Sequence, residues 1–280
     1  MSTTDLADRH VVITGANTGI GKETARALAR RGARITMLGR SEAKTRPVID
    51  ELARDAGHDR FGFVALDLGE LASVRACAAE LVRRGDAIDV LINNAGLAGP
   101  RGLTKDGFEL AFGTNHLGHF LLTRELLPLL AAGKAARVVN VASASHYQAK
   151  GIDWDALRRP TSSVTGMAEY AVSKLCNVLF TAELARRQPA LGVHALHPGV
   201  IASDIWSRRI PRPVAWLMTR FMKSTVDGAR TSIYCATSPD LAGISGRYYT
   251  DAKEKRPSRL AQDLTLAAEL WRRSEAWVAG

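Results

Sequence analysis

Cysteine is scarce in this chain. Three residues, Cys77, Cys176 and Cys235, are spread over 280 positions, odd in number, with neither partner cysteines nor histidines at metal-ligand spacing. That pattern excludes a disulfide framework and a zinc site and leaves the three as small core residues. Long apolar runs are missing too. Nothing approaches the roughly 20 residues of a membrane-spanning helix, and the amino end, Met1 to Arg9, is polar and partly acidic rather than charged and then apolar. The expectation is a cytoplasmic protein. Internal repeats, low-complexity tracts and linkers are also absent, so a chain with 46% hydrophobic residues is expected to fold around one core as a single domain spanning residues 1–280.

What the chain has in excess is positive charge, a formal +10. Most basic residues sit at helical spacing, as Arg26, Arg30 and Arg31 or Arg83 and Arg84 do, which is the pattern of solvated helix faces. No aromatic-plus-basic platform or helix-turn-helix signature accompanies the charge, so nucleic acid is not an expected partner. An anionic cofactor, or at most peripheral contact with an anionic membrane surface, fits it.

Short runs rich in valine and isoleucine recur at His10–Thr14, Arg34–Leu38, Phe61–Leu66, Val90–Asn93, Arg137–Val141, Val193–Leu196 and Gly246–Tyr249. Helical patterns separate them at Ile20–Arg31, Glu42–Ala56, Leu71–Arg84, Thr104–Ala131, Ala168–Arg187 and Val226–Ala236, with a further amphipathic stretch at Leu260–Trp277. This alternation predicts an α/β fold, a doubly wound sheet of seven parallel strands with helices on both faces. Two irregular segments, Ala144–Met167 and Asp204–Thr225, each follow a strand. Ligands of open α/β sheets bind beyond the carboxyl ends of the strands, so these segments are expected to shape the substrate pocket.

The first strand runs directly into Thr14-Gly15-Ala16-Asn17-Thr18-Gly19-Ile20-Gly21 and then a helix. Glycines there tighten the turn and admit a pyrophosphate to the helix N-terminus, where the dipole favours negative charge. NAD-selective folds usually end the second strand with an acid for the ribose hydroxyls. This strand has none and ends in Arg40, whose guanidinium is suited to a 2′-phosphate. NADP(H) is therefore the preferred cofactor, with NAD(H) left open; the alternative for Arg40 is a solvated loop charge. Asp67 and Leu68 follow the third strand, within reach of an adenine, and Asn94, Ala95 and Gly96 follow the fourth, beside the cofactor. Both segments equally fit plain turn chemistry.

Tyr170 and Lys174 stand four apart on a helical pattern and so share a face. An ammonium beside a phenol stabilises the phenolate and brings it closer to neutral acid/base chemistry. Upstream, the fifth strand runs off into Ser143, a hydroxyl at a strand's carboxyl end where a carbonyl oxygen could be held or, alternatively, a turn capped.

The ordered set Thr-Gly-x-x-x-Gly-x-Gly, Asn-Asn-Ala-Gly, Ser and Tyr-x-x-x-Lys resembles the short-chain dehydrogenase/reductase family over nearly the whole chain. The segments Thr114–Thr123, Arg137–Val141 and Lys174–Asn177 are similar to its retinol dehydrogenase and WW-domain oxidoreductase branch. The resemblance implies a Rossmann-type fold, with residues 5–142 mainly binding the cofactor and residues 143–280 carrying catalysis and substrate binding. It implies an NADP-dependent oxidoreductase that moves hydride between nicotinamide and an alcohol, aldehyde or ketone. Tyr170 would exchange a proton with the substrate oxygen and Ser143 would hold that oxygen. Lys174 would bind the nicotinamide ribose and lower the tyrosine's pKa, and Asn115 would anchor a water relay. Pro198, Gly199, Val200 and Ser203 resemble the segment lying against the nicotinamide carboxamide. The patterns Thr104–Ala131 and Ala168–Arg187 resemble helices that pair across a two-fold axis, which implies a homodimer or homotetramer.

Two departures bear on the carry-over. Ala142 stands where a serine is common, and neither a membrane-spanning amino end nor WW domains accompany the pattern, so retinol itself is not implied. Residues 204–225 interleave Ile205, Trp206, Trp216, Met218, Phe221 and Met222 with arginines and lysine, and Pro211 and Pro213 interrupt any single helix. They read as a lid over a lipophilic substrate, with basic residues suited to lipid headgroups. The competing function is a catalytically silent, NADP-sensing interaction protein of the same fold.

Overall fold

The computed structural model describes residues 5–199 and 224–279. Strands β1 (His10–Thr14), β2 (Arg34–Gly39), β3 (Phe61–Ala65), β4 (Val90–Asn93), β5 (Arg137–Val141), β6 (Gly192–His197), β7 (Arg247–Thr250) and β8 (Lys253–Glu254) form one sheet in the order β3-β2-β1-β4-β5-β6-β7-β8. The pairings from β3 through β7 are parallel; β8 runs antiparallel to β7. Strand order reverses between β1 and β4, which opens a crevice at their carboxyl ends.

Helices α1 (Gly19–Arg30), α2 (Glu42–Ala56) and α8 (Thr225–Thr237) cover one face. The other face carries α3 (Leu71–Arg84), the helical run α4 (Leu110–Phe112) and α5 (Gly118–Glu125), then α6 (Leu127–Ala131), α7 (Met167–Arg187) and α9 (Leu264–Trp277). Strand residues alternate between the two resulting cores: Val11 and Ile13 pack with Leu28 and Leu52, while Val12 packs with Val74, Phe120 and Leu179. Strands buried on both faces read as continuous apolar runs, and for that reason the parallel strands were legible.

Three expectations need correction. The sheet has eight strands rather than seven, because a two-residue turn at Asp251 and Ala252, both with positive φ (53° and 56°), folds Lys253–Glu254 back onto β7. Two residues carry no alternation, and Asp-Ala lacks the glycine that marks such turns. The pattern Thr104–Ala131 is not one helix. Thr104–Glu109 forms a turn closed by the Leu103–Glu109 bridge, helix starts at Leu110, a π-helical turn occupies Gly113–Leu117, and Leu126 breaks the run before Pro128. The carboxyl-terminal helix begins at Leu264, where the Asp263 carboxylate accepts the N–H groups of Thr265 and Leu266, so Leu260–Gln262 is only a 3₁₀ turn.

Helix α9 lies across the outer faces of α5 and α7. Trp271 contacts the rings of Phe120 and Phe180 at 5.0 and 5.9 Å, and Trp277 meets Phe108 and Phe112 at 5.6 and 5.7 Å. His116 Nε2 sits 3.1 Å from Ser274 Oγ, and the Arg187 guanidinium lies 4.7 Å over the Trp271 ring. Among the described residues, no helix is long and apolar enough to cross a membrane.

Candidate active site

The glycine turn between β1 and α1 has the shape an anion needs. Gly19 adopts φ +56°, a conformation that glycine takes without strain, and a Cβ on Gly21 would stand 2.5 Å from the Gly15 carbonyl oxygen. Helix α1 has Thr18 at its N-cap position with no side-chain cap bond and has no acid in its first turn, so its leading N–H groups lack a side-chain partner at the turn. Asn94 does its work here through structure: its side-chain amide donates to the carbonyls of Thr14 (2.8 Å) and Gly15 (3.2 Å), which holds the turn against β4. Ala95 packs directly behind Gly15, and Gly96 is exposed. At the end of β2, Arg40 is exposed with no charged partner among the described residues, beside Ser41, whose Oγ caps α2. Asp67 Oδ1 accepts the Gly69 N–H, while Leu68 is buried against Gly118, so its side chain belongs to the core.

The reacting groups converge from β5 and α7. Ser143 caps the 3₁₀ turn Ala144–Gln148, its Oγ accepting Ser145 N–H at 3.1 Å, so the cap reading and the catalytic one describe the same residue. Its hydroxyl also donates to Ser145 Oγ at 3.2 Å, and it lies close enough to Tyr170 to favour the ionised phenol. Lys174 is buried, donates to the Val141 carbonyl at 2.8 Å, and lies 5.6 Å from the Tyr170 ring centroid. A Cβ added at Gly96 would stand 3.5 Å from Lys174 Nζ, so the open glycine segment borders the amine.

The electrostatics differ from the expected lowering of the tyrosine by the lysine. Burial pushes the Tyr170 phenol up from its ordinary value, and the Ser143 hydroxyl, not Lys174, offsets part of that. Burial also pushes Lys174 down to about 8. The amine thus exchanges protons near the working pH of an enzyme.

Asn115 sits inside the π-helical turn, fully buried. Its side chain accepts Leu97 N–H and donates to the Leu97 carbonyl and to Ser173 Oγ, each at 2.9 Å. Ser173 in turn donates to the Tyr170 carbonyl at 2.8 Å. Glycines bracket the turn: a Cβ on Gly113 or Gly118 would collide with Thr104 Cγ2 (2.4 Å) or the Leu68 carbonyl oxygen (2.5 Å). A π-turn of this kind sets one side chain off the regular helical stripe.

The supporting roles of Thr14, His119, His146, Ser173 and the Asn93–Asn140 pair were not read from the sequence, although all but His146 lie within motifs it displays. Asn93 Nδ2 donates to Asn140 Oδ1 (2.8 Å), and Asn140 Nδ2 to Thr181 Oγ1 (2.9 Å), a polar ladder buried beneath the site. Ser258 N–H donates to His146 Nε2 at 3.1 Å, so His146 Nδ1–H donates to the Ser143 carbonyl at 2.7 Å and anchors the catalytic turn to the segment after β8. Beyond that placement, their signal in the sequence was a polar residue inside an apolar run. Pro198 and Gly199, the latter at φ 100°, follow β6 toward the crevice. Val200, Ser203 and most of the expected lid, 204–225, lie outside the described residues.

Comparison with known proteins agrees with this geometry. The family model described as short chain dehydrogenase matches residues 9–154. The chain belongs to the short-chain dehydrogenase family. It is 44% identical over 265 residues to mouse retinol dehydrogenase 12, covering 93% of this chain and 83% of the relative. Human retinol dehydrogenase 13 is 39% identical over 282 residues, with 96% and 84% covered. Among solved structures, an uncharacterized protein from Mycobacterium Paratuberculosis superposes with a TM-score of 0.79 at 35% identity, covering 99% of this chain and 95% of that one. A short chain dehydrogenase from Escherichia coli CFT073 complexed with NADPH shares the fold, with a TM-score of 0.69 at 23% identity and coverage of 88% and 97%. Membership makes this short-chain dehydrogenase an oxidoreductase acting on CH–OH or C=O groups.

Proposed function

We propose that the protein is an NADP(H)-dependent carbonyl reductase or alcohol dehydrogenase for a lipophilic small molecule. The observation that carries the cofactor preference is Arg40, a cation with no charged partner among the described residues, at a strand end without an acid. The uncapped α1 terminus and the Gly19–Gly21 cradle fit a pyrophosphate beside it.

A bound nicotinamide would supply or accept the hydride at the substrate carbon. In reduction, Tyr170 gives its phenolic proton to the carbonyl oxygen, and Ser143 Oγ, beside that phenol, donates a hydrogen bond to the same oxygen. Lys174 would hold the nicotinamide ribose of a bound cofactor and, with its lowered pKa, return a proton toward Tyr170, with Asn115 anchoring the water of the relay. Oxidation runs these transfers in reverse. A catalytically silent sensor would have no use for this complete set, and an enzyme is therefore the preferred reading.

Lipophilicity rests on the retinol dehydrogenase relatives and on the apolar content of 204–225. Contact with membranes is proposed as peripheral and location as cytoplasmic. Pairing into a homodimer or homotetramer would have to use faces other than those of α5 and α7 now under α9.

Initial rates with NADPH and NADH against aldehydes of increasing chain length test the reading, with Arg40→Asp and Trp206→Ala as variants. NADPH preference reversed or lost in Arg40→Asp, and activity rising with chain length less steeply in Trp206→Ala, are expected. Equal efficiency with both cofactors, or no rise with chain length, refutes the corresponding part.

A further inference from the structure

Thr14 ends β1 directly beneath the glycine turn, and its hydroxyl is completely buried. Oγ1 accepts two backbone N–H groups, those of Asn94 and Ala95, each at 2.9 Å. A hydroxyl has two lone pairs and one proton. With both lone pairs engaged, only its proton can bridge the 2.9 Å to His119 Nε2. Nε2 is therefore an acceptor, the ring proton sits on Nδ1, and Nδ1–H donates to the Asn115 backbone carbonyl at 3.0 Å. The network, not an observed hydrogen, assigns this tautomer. Burial supports it, because the imidazole is pushed down to about 4 and stays neutral across the range in which the enzyme would work.

Asn115 is thus gripped from two sides. Its carbonyl is bound by a chain that begins at the cofactor turn, while its side-chain amide is bound by Ser173 and through it by the Tyr170 backbone. We propose that His119, as its Nδ1–H tautomer, is a positioning residue that sets the Asn115 carbonyl by tying it to Thr14 and the cofactor turn. The inference rests on the proposed function, in which Asn115 anchors the water that returns protons toward Lys174. The imidazole touches neither substrate nor cofactor. Its effect is transmitted through the π-helical turn that holds Asn115.

The alternative is that His119 only fills space between β1 and α5. The two roles part in their kinetics. Loss of positioning lowers kcat at saturating cofactor, since a misplacement of about 1 Å can cost roughly a hundredfold. Loss of packing lowers thermal stability and NADPH affinity but spares kcat in molecules that remain folded.

The experiment compares unmutated protein with His119→Leu, which removes both ring nitrogens, and His119→Gln, whose amide keeps a donor and an acceptor. In His119→Leu, kcat is expected to fall about ten- to a hundredfold. Its solvent deuterium isotope effect on kcat should rise, and NADPH affinity by fluorescence titration should stay within about threefold; His119→Gln should recover a substantial part of kcat. An unchanged kcat in the leucine variant, or a glutamine variant no better than leucine, overturns the proposal. Nitrogen-15 spectra of histidine-labelled unmutated protein supply a readout independent of turnover and of how the variants fold. A protonated Nδ1 and bare Nε2 at His119 from pH 6 to 8 are expected, and the opposite tautomer overturns the assignment. Absence of NADPH-dependent turnover in the unmutated protein would refute the proposed function itself, and the spectra would still decide the hydrogen-bond chain.

Discussion

The hydroxyl of Tyr170 and the amine of Lys174 share one helix face, yet burial moves them in opposite directions, the phenol up and the amine down to about 8. Each shift penalises the charged form, as desolvation does. Tyr170→Phe deletes the proton donor and keeps the ring, so steady-state turnover should fall by about a hundred- to ten-thousandfold while NADPH affinity holds; near-normal turnover would exclude the assigned role. Lys174 carries a stability consequence as well. Between about 8 and its ordinary 10.5, the unfolded chain keeps a proton that the folded chain has released, so stability rises with pH across that window. Below pH 8 the folded protein bears the full cost of a buried ammonium, about 3 kcal/mol for a displacement of this size. Lys174→Met removes that cost but also the bond to the Val141 carbonyl. The variant should therefore be inactive, yet more stable in urea at pH 7 by about 1–2 kcal/mol, an advantage that shrinks toward pH 10. A variant less stable at pH 7, or a difference independent of pH, contradicts this account.

At the scale of elements, the turn into β8 stores strain. Ala252 adopts φ 56° without the side-chain hydrogen bonding that lets asparagine tolerate it, while its N–H stays engaged with Thr231 Oγ1 at 3.2 Å. Ala252→Gly should relieve that strain, offset by glycine's greater freedom in the unfolded chain, for a net gain of about 0.5–1 kcal/mol. Urea unfolding with an unchanged m-value checks it, and a loss of stability counts against a strained turn. The same turn marks the limit of sequence reading. Parallel strands buried on both faces announce themselves as apolar runs, and the glycine turn, Ser143, Tyr170 and Lys174 carry fixed spacing. In contrast, β8 depends on a backbone conformation that Asp-Ala does not advertise. The helix at Thr104–Ala131 looked continuous because apolar spacing survives a π-turn. What defeated the pattern was the tight contact of Gly113 with Thr104 and of Gly118 with Leu68, which is tertiary information. The roles of His119 and Thr14 were silent for the same reason, since the two residues stand 105 positions apart and matter only once β1 meets α5.

At the scale of the molecule, α9 decides which surfaces remain for assembly. Its Trp271 and Trp277 fill the aromatic face formed by Phe112, Phe120 and Phe180, His116 meets Ser274, and Arg75 reaches the Val278 carbonyl from α3. Removing a buried tryptophan of this kind costs about 3–5 kcal/mol, so displacing the whole helix for a partner's helix would require an interface at least as apolar as the contact it replaces. The chain supplies its own cover. Two outcomes follow for the intact protein: α9 amides should be equally protected from hydrogen exchange at all protein concentrations, and any self-association in sedimentation velocity should leave that protection unchanged. A chain ending at Asp263 should behave differently, because it uncovers Phe112, Phe120 and Phe180 as one contiguous apolar patch. Patches of this type drive association, so the shortened chain should show additional concentration-dependent self-association beyond any that the full chain shows. Loss of α9 protection as the concentration of the full chain rises would mean that α5 and α7 pair across a two-fold axis after all, with α9 moving aside.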